Sequence, residues 1–245
     1  YSFALDDFVE GQSSIRQNGR DGEAYAYSLF AVGDCSAIEL AQELRQFGDF
    51  HPAALVRLYT TEIEMARYCN EPALAYDLQS EMTYVFPRAV KTHLALADLA
   101  MDEGDLDLAW RAMANSQMFF QYVGAVDSYA RLALIEGRYE DAFQLLQYIK
   151  AQRVSDRSMI LKGLATILAG DPSVFLVKMN QARWVENENP HLLLLRLWAL
   201  YEINETSTMQ DEQHYFKAVC NQQCQQWVVQ NLEREIQAEL PFRLP

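Results

Sequence analysis

Residues 134–146 read LIEGRYEDAFQLL. A single glycine, Gly137, separates two runs with helical periodicity. Five residues later stands a small residue, Ala142, and then the bulky Leu146. Glycine ends a helix at little cost because it enters the left-handed backbone region without a Cβ clash. A small residue just beyond it lets a second helix cross the first at short interaxial distance. The stretch reads as the tip of a helical hairpin, with Ala142 and Leu146 on the packing face of its second helix.

The same arrangement recurs along the chain. Gly104, Gly137 and Gly170 follow one another at intervals of 33 residues, in LALADLAMDEGDLDLAWRAM, SYARLALIEGRYEDAFQLL and LKGLATILAGDPSVFLVKM. A fixed period of about 20–50 residues marks a stacked repeat. Small residues recur before each turn: Ala97 and Ala100, Ala130 and Ala133, Gly163 and Thr166. Ala109 and Ala142 mark the crossing after it, and Phe175 takes that place in the third copy. A degenerate copy at 56–88 has Asn70 in the turn and Ala75 at the crossing.

This pattern resembles the tetratricopeptide repeat, best over 123–154, well over 90–121 and less closely over 156–187. The resemblance implies an all-α fold, a right-handed α-solenoid of about six helical hairpins with a C-terminal capping helix. Stacked hairpins of this kind offer an extended concave binding surface.

The prolines point the same way. Pro52, Pro72, Pro87, Pro172 and Pro190 stand where helices are expected to begin, a position that does not need the missing N–H. Asp171 and Asn189, each preceding a proline, are good N-caps. Alternating strand patterns are absent. Helices are predicted near 23–32, 36–47, 53–69, 72–86, 88–103, 106–119, 123–136, 139–151, 156–169, 172–185, 190–203, 208–220 and 222–240. The expected organisation is an N-terminal arm or cap over 1–22, TPR-like repeats over 23–221, and a C-terminal capping helix and tail over 222–245. In the last helix Val228, Leu232, Ile236 and Leu240 form one apolar stripe, while Glu233, Arg234, Gln237 and Glu239 face away.

Composition bounds the function. Half of the 245 residues are apolar and 22% are charged, enough to bury a core. A formal net charge of −14 argues against nucleic acid and against anionic lipid as partners. No apolar run of membrane-spanning length occurs; the longest, HLLLLRLWALY at 191–201, is interrupted by Arg196. No signal-peptide pattern opens the chain, and its start at Tyr1 suggests an excerpt or a processed product.

Catalytic signatures are missing. There is no Gly-x-Ser-x-Gly, no phosphate-cradling glycine loop and no His-Glu-x-x-His. His51, His93, His191 and His214 are scattered and read as capping or solvated residues. The acidic stretch MDEGDLD at 101–107 lacks calcium-loop spacing and reads as a solvated hairpin tip. The chain is read as non-enzymatic, with no cofactor and no metal.

The four cysteines fall into two candidate pairs. Cys35 and Cys69 are about one repeat apart, each beside a hairpin turn. Cys220 and Cys224 share one face of a continuous helix with strained geometry, which a break between the last two helices would relieve. Disulfides suit an oxidising compartment; buried free thiols are the alternative.

In the repeat family the first helix of each hairpin lines the groove. Carried over, this implies Arg57, Thr60, Glu64 and Arg67, then Lys91, Leu94, Asp98 and Met101, then Asp127, Arg131 and Leu134. The next units supply Arg157, Ile160, Leu164 and Ile167, then His191, Leu194, Trp198 and Tyr201. As function, Arg57, Arg67 and Arg131 clamp a carboxylate or acidic peptide and Trp198 and Tyr201 anchor an apolar residue. As structure, the charged residues are merely solvated and the apolar end is covered by the C-terminal helices. On the functional reading, reversing Arg67 and Arg131 to glutamate weakens partner capture with little change in melting temperature.

The resulting expectation is a scaffold that binds a protein or peptide segment in its groove, with an extracytoplasmic, periplasmic location favoured over a cytoplasmic one. The alternative is the sensory or regulatory C-terminal domain of a larger, membrane-anchored or cytoplasmic bacterial transcription regulator.

Overall fold

The computed structural model describes residues 26, 29, 34–47, 50–114, 123–147, 149, 155–181 and 189–240. Twelve helices occupy them, with no strand among the described residues. They are α1 (Ala37–Phe47), α2 (Pro52–Tyr68), α3 (Pro72–Val85), α4 (Val90–Asp102), α5 (Leu106–Ala114) and α6 (Val123–Ile135). The rest are α7 (Tyr139–Gln147), α8 (Asp156–Leu168), α9 (Pro172–Gln181), α10 (Pro190–Glu202), α11 (Thr206–Val219) and α12 (Gln222–Ile236). The expected arm at 1–22, and all but Ala26 and Leu29 of the expected helix at 23–32, lie outside the described residues.

One turn closes each hairpin. At Gly137 (φ 74°) the backbone is left-handed, the N–H of Arg138 bonds the carbonyl of Ala133 at 2.8 Å, and the N–H of Gly137 bonds that of Leu134 at 3.0 Å. This pair of bonds satisfies two carbonyls that the helix end would otherwise leave open. The same pair forms at Gly104 and Gly170, and at the two asparagines Asn70 (φ 60°) and Asn204 (φ 59°). Asparagine tolerates the left-handed region better than other non-glycine residues. Asn204 thus extends the series by one hairpin, α10–α11, whose turn carries no glycine to mark it. Gln237 (φ 51°) ends α12 in the same way, short of the expected limit at 240.

Pro52, Pro72 and Pro190 occupy first-turn positions as expected, and Pro172 is the first residue of α9. Pro87 does not start a helix. It stands in a turn between α3 and α4, which begins at Val90, and the Thr92 hydroxyl donates to the Phe86 carbonyl there.

The Phe175 exception has a structural counterpart. Ala109 and Ala142 are fully buried at the crossings, and Phe175 is buried at the equivalent place in α9. Its ring lies against Gly163, where an added Cβ would come within 2.9 Å of Phe175 Cε2 and of Leu195 Cδ1. Volume added on the second helix is removed from the first, which keeps the packing density of the crossing.

The chain divides into two compact units, Tyr1–Leu99 and Ala100–Pro245, with the division inside α4. In the first unit α1 packs on α2 and α2 on α3, around Leu58, Ile63, Met65, Leu78 and Met82. A disulfide joins Cys35, just before α1, to Cys69, the C-cap of α2, with Cα atoms 5.8 Å apart.

In the second unit α6, α8 and α10 lie side by side. Each packs on its own second helix, α7, α9 or α11. Leu132, Leu161 and Leu164 are fully buried between them, each contributing roughly 1.5–3 kcal/mol of hydrophobic stabilisation. The second disulfide, Cys220–Cys224, sits at the corner between α11 and α12. Cys220 is extended (φ −133°, ψ 105°), so the helix breaks there as the spacing required, and Asn221 caps α12 by accepting the N–H of Cys224 at 2.9 Å.

Candidate functional site: the inner face of the first helices

The expected groove residues divide between the two units. In the first unit Arg57 is exposed and Glu64 is half-buried on α2. Arg67 and Asp98 are buried instead and form an ion pair at 3.9 Å. They hold α2 to α4 and are not available to a partner in this conformation.

A second polar cluster in that unit was not anticipated. Arg45 of α1 directs Nε to both carboxylate oxygens of Glu62, at 3.0 and 3.1 Å, and its NH1 to the hydroxyl of Tyr59 and the carboxylate of Glu81. Tyr59 donates to Glu81 at 2.6 Å, while the Arg45 guanidinium also lies over its ring, 4.5 Å from the centroid. Burial pushes the Glu62 carboxyl up to about 7 against the pull of Arg45. Burial and the bond to Glu81 push Tyr59 up to about 12. Burial works against the Arg45 charge, and its acidic neighbours more than offset that, so its pKa is raised. The cluster stitches three helices together and carries no exposed functional group beyond Glu81.

The second unit holds the remaining candidates. Asp127 is buried; its Oδ2 accepts from the hydroxyls of Ser158 at 2.9 Å and Ser155 at 3.3 Å. Ser155 is itself the N-cap of α8, so Asp127 fixes the start of α8 against α6. Trp198 is 2% exposed and donates Nε1–H to Glu202 at 2.9 Å. Tyr201, one turn further, is 49% exposed.

Arg131 departs furthest from the expectation. It is 0% exposed and ion-paired with both Asp102 and Glu235, the latter at 2.9 Å. It also donates to the backbone carbonyl of Arg234 at 3.0 Å. Glu235 is met from α8 as well, by Arg157 at 3.5 Å. At α10, His191 meets the ring of Trp227 edge-on, 4.9 Å between centroids, and its Nε2 lies 3.5 Å from Asn231 Nδ2. Burial pushes the His191 imidazole down to about 4, against the pull of Glu235.

These contacts have one meaning. Arg131, Arg157 and His191 are first-helix residues assigned to the groove, and all three face α12. The C-terminal helix packs on α6 and α10 and meets α8 through Glu235. Arg131 is neither solvated nor open to a partner, Arg157 is only partly exposed, and Trp198 is an interior residue. Charge reversal at Arg67 and Arg131 therefore tests folding, since each would set a new carboxylate beside buried acids.

The expected stripe is buried at Val228, Leu232 and Ile236 of α12 and at Leu240 beyond its end. A second row, Trp227, Asn231 and Glu235, is buried beside it. These three residues are four apart, so they stack along one edge of the helix. That spacing was the available signal for a helix covered on more than one side. The exposed hydrophobic residues of the unit include Trp110, Val177, Tyr201 and Tyr215.

MDEGDLD forms the α4–α5 turn, where Asp105 caps α5 by accepting the N–H of Leu108 at 2.9 Å and Asp102 serves Arg131. No group of three or more metal-ligating side chains occurs among the described residues. His51 caps α2, accepting the N–H of Ala53 at 3.3 Å. No helix of the described residues is long and apolar enough to cross a membrane.

No family model matches the sequence, and no curated protein matches it. Among solved structures, the chain is similar to a tetratricopeptide repeat protein from Parabacteroides merdae ATCC 43184, with a TM-score of 0.53 and 12% identity over 89% of this chain and 91% of that one. At that identity the likeness speaks for the fold alone, and together with the repeated hairpin turns it makes this an all-α, tetratricopeptide-like array of helical hairpins.

Proposed function

We propose that the chain is a non-enzymatic interaction scaffold that holds a protein or peptide segment against its first helices. The observation that carries this reading is the seat of α12, an amphipathic helix bound across α6, α8 and α10 by two arginines, a histidine and an apolar stripe. Rigid hairpins present those side chains in fixed register, so little ordering entropy is lost on binding.

Two exposed first-helix positions are offered as partner contacts, Arg57 in the first unit and Tyr201 in the second. The paired cysteines support an extracytoplasmic, oxidising setting for this role. The test is affinity capture from source-cell extract with wild type, Arg57→Glu and Tyr201→Ala side by side. Proteins lost from either variant, at unchanged melting temperature, support the scaffold reading. Identical captures from all three overturn the assignment of these positions.

A further inference from the structure

We propose that the face built by α6, α8 and α10 is a helix-receiving groove with α12 as its resident occupant. Its external ligand would be an amphipathic helix with a carboxylate near its C-terminal end and an aromatic residue two turns earlier, entering by displacing α12. The inference deepens the scaffold reading and rests on it.

The chemistry of the seat defines the ligand. Two guanidinium groups from different helices, Arg131 on α6 and Arg157 on α8, converge on the single carboxylate of Glu235. Arg131 also donates to the carbonyl of Arg234 in the last turn of α12, beside the bonds that carbonyl takes from Gln237. A helix C-terminus is the negative end of the helix dipole, so this guanidinium reads a charge and a helix end together. Two turns earlier, Trp227 rests edge-on against His191, and Asn231 lies alongside the same ring. Val228, Leu232 and Ile236 form the buried apolar face of α12 beside this row. Asp102 shares Arg131, so the two arginines leave about one positive charge on this face, matched to a single ligand carboxylate in the place of Glu235.

The attachment of α12 suits exchange. Its covalent anchorage is at its N-terminal corner, where Asn221 and the Cys220–Cys224 bridge set the direction of the helix. Beyond the arginine contacts the helix stops at Gln237, and Leu240 returns to Glu233 of the same helix, its N–H donating to Oε1 at 3.2 Å. Both ends of the ion pairs can be hydrated when the helix leaves, so the ionic part of the seat loses less on opening than an apolar contact of the same size.

The experiment uses the full chain and a fluorescein-labelled peptide of residues 222–240. Binding is read by anisotropy against wild type, Glu235→Ala and Trp227→Ala, with a control peptide carrying Glu235→Lys. The expected result is binding to the two variants at least about tenfold tighter than to wild type, and about tenfold weaker for the control peptide. Folded variants that bind the peptide no better than wild type overturn the proposal. Should the variants fail to fold, hydrogen exchange on wild type decides the matter. Peptide in excess should release the amides of α12 while α6, α8 and α10 stay protected; amides of α12 that exchange only together with those of α6 and α10 overturn it. Peptide exchange with no captured protein counts against the scaffold reading alone. Capture through Arg57 or Tyr201 without peptide exchange counts against this inference alone.

Discussion

Replacing Arg131 by methionine keeps most of the aliphatic stem and removes the charge. In the wild type the guanidinium is fully buried and answers Asp102, Glu235 and the carbonyl of Arg234. Removing one partner from a buried ion pair costs on the order of 3–5 kcal/mol, chiefly through the charge left behind. Two features moderate the loss here: the Asp102 side chain is 15% exposed and can be hydrated, and Glu235 keeps Arg157 at 3.5 Å. We expect the lower end, about 3 kcal/mol, which for a unit of about 150 residues lowers the melting temperature by roughly 6–12 °C.

Intrinsic fluorescence is a clean assay, because all four tryptophans, at 110, 184, 198 and 227, belong to the second unit. Adding Glu235→Gln to Arg131→Met should cost at least about 1 kcal/mol less than the sum of the single changes, because the residual carboxylate is then gone. A shift under about 2 °C for Arg131→Met, or strict additivity in the double variant, would refute the buried triad.

Three further outcomes are expected from the packing and the cysteine pairs. Gly163→Ala should be destabilising by up to about 2 kcal/mol, overpacking outweighing the helix propensity gained. Combined with Phe175→Ala it should cost less than the sum by about 1–2 kcal/mol, and additive denaturant midpoints would deny the volume exchange.

The pH dependence has opposite signs in the two units. His191 is held at about 4 against an ordinary 6.5. Its contribution is intact above 6.5 and is lost as the pH falls through 4, by on the order of 3 kcal/mol. Glu62, raised from 4.5 to about 7, contributes fully below 4.5 and loses that stability as the pH rises through 7. Urea midpoints of wild type, His191→Gln and Glu62→Gln across that range check both, and unchanged pH slopes in the variants contradict the assignments. Finally, thiol titration of denatured, unreduced protein should find no free thiol. Reduction should cost ~3–4 kcal/mol for the Cys35–Cys69 loop and about 2 kcal/mol for the short Cys220–Cys224 loop; four free thiols before reduction would rule both bridges out.

The hairpin turns were legible because their cause is local. A left-handed residue at Gly104, Gly137 and Gly170 leaves its mark in the residue type itself. Asn204 does the same job 34 residues after Gly170; the hairpin there was expected from its two helical runs, but asparagine is common in many contexts and does not by itself mark the turn. The corner at Cys220 was also readable, since four-residue cysteine spacing conflicts with an unbroken helix.

The groove was legible only as a set of positions. Arg131 falls on the predicted inner face, and local pattern says nothing about what approaches that face from 103 residues away. Glu235, the residue that decides its environment, looks in sequence like any acidic residue of a solvated helix. Its place in the row with Trp227 and Asn231 becomes informative once the partner face is known.

An open stack of hairpins is held together by neighbours only, so it can melt from either end, one hairpin at a time. The return of α12 changes that for the second unit. By meeting α6 and α10 together it couples hairpins that are not adjacent in the row. The bond between Arg131 and Arg234 closes a span of 103 residues. Contacts of such long range slow folding and make the loss of any one hairpin felt by all. Helix α12 is therefore a clasp on cooperativity: while it is seated the unit unfolds as a whole, and when it lifts the same helices revert to a stack that frays from its ends.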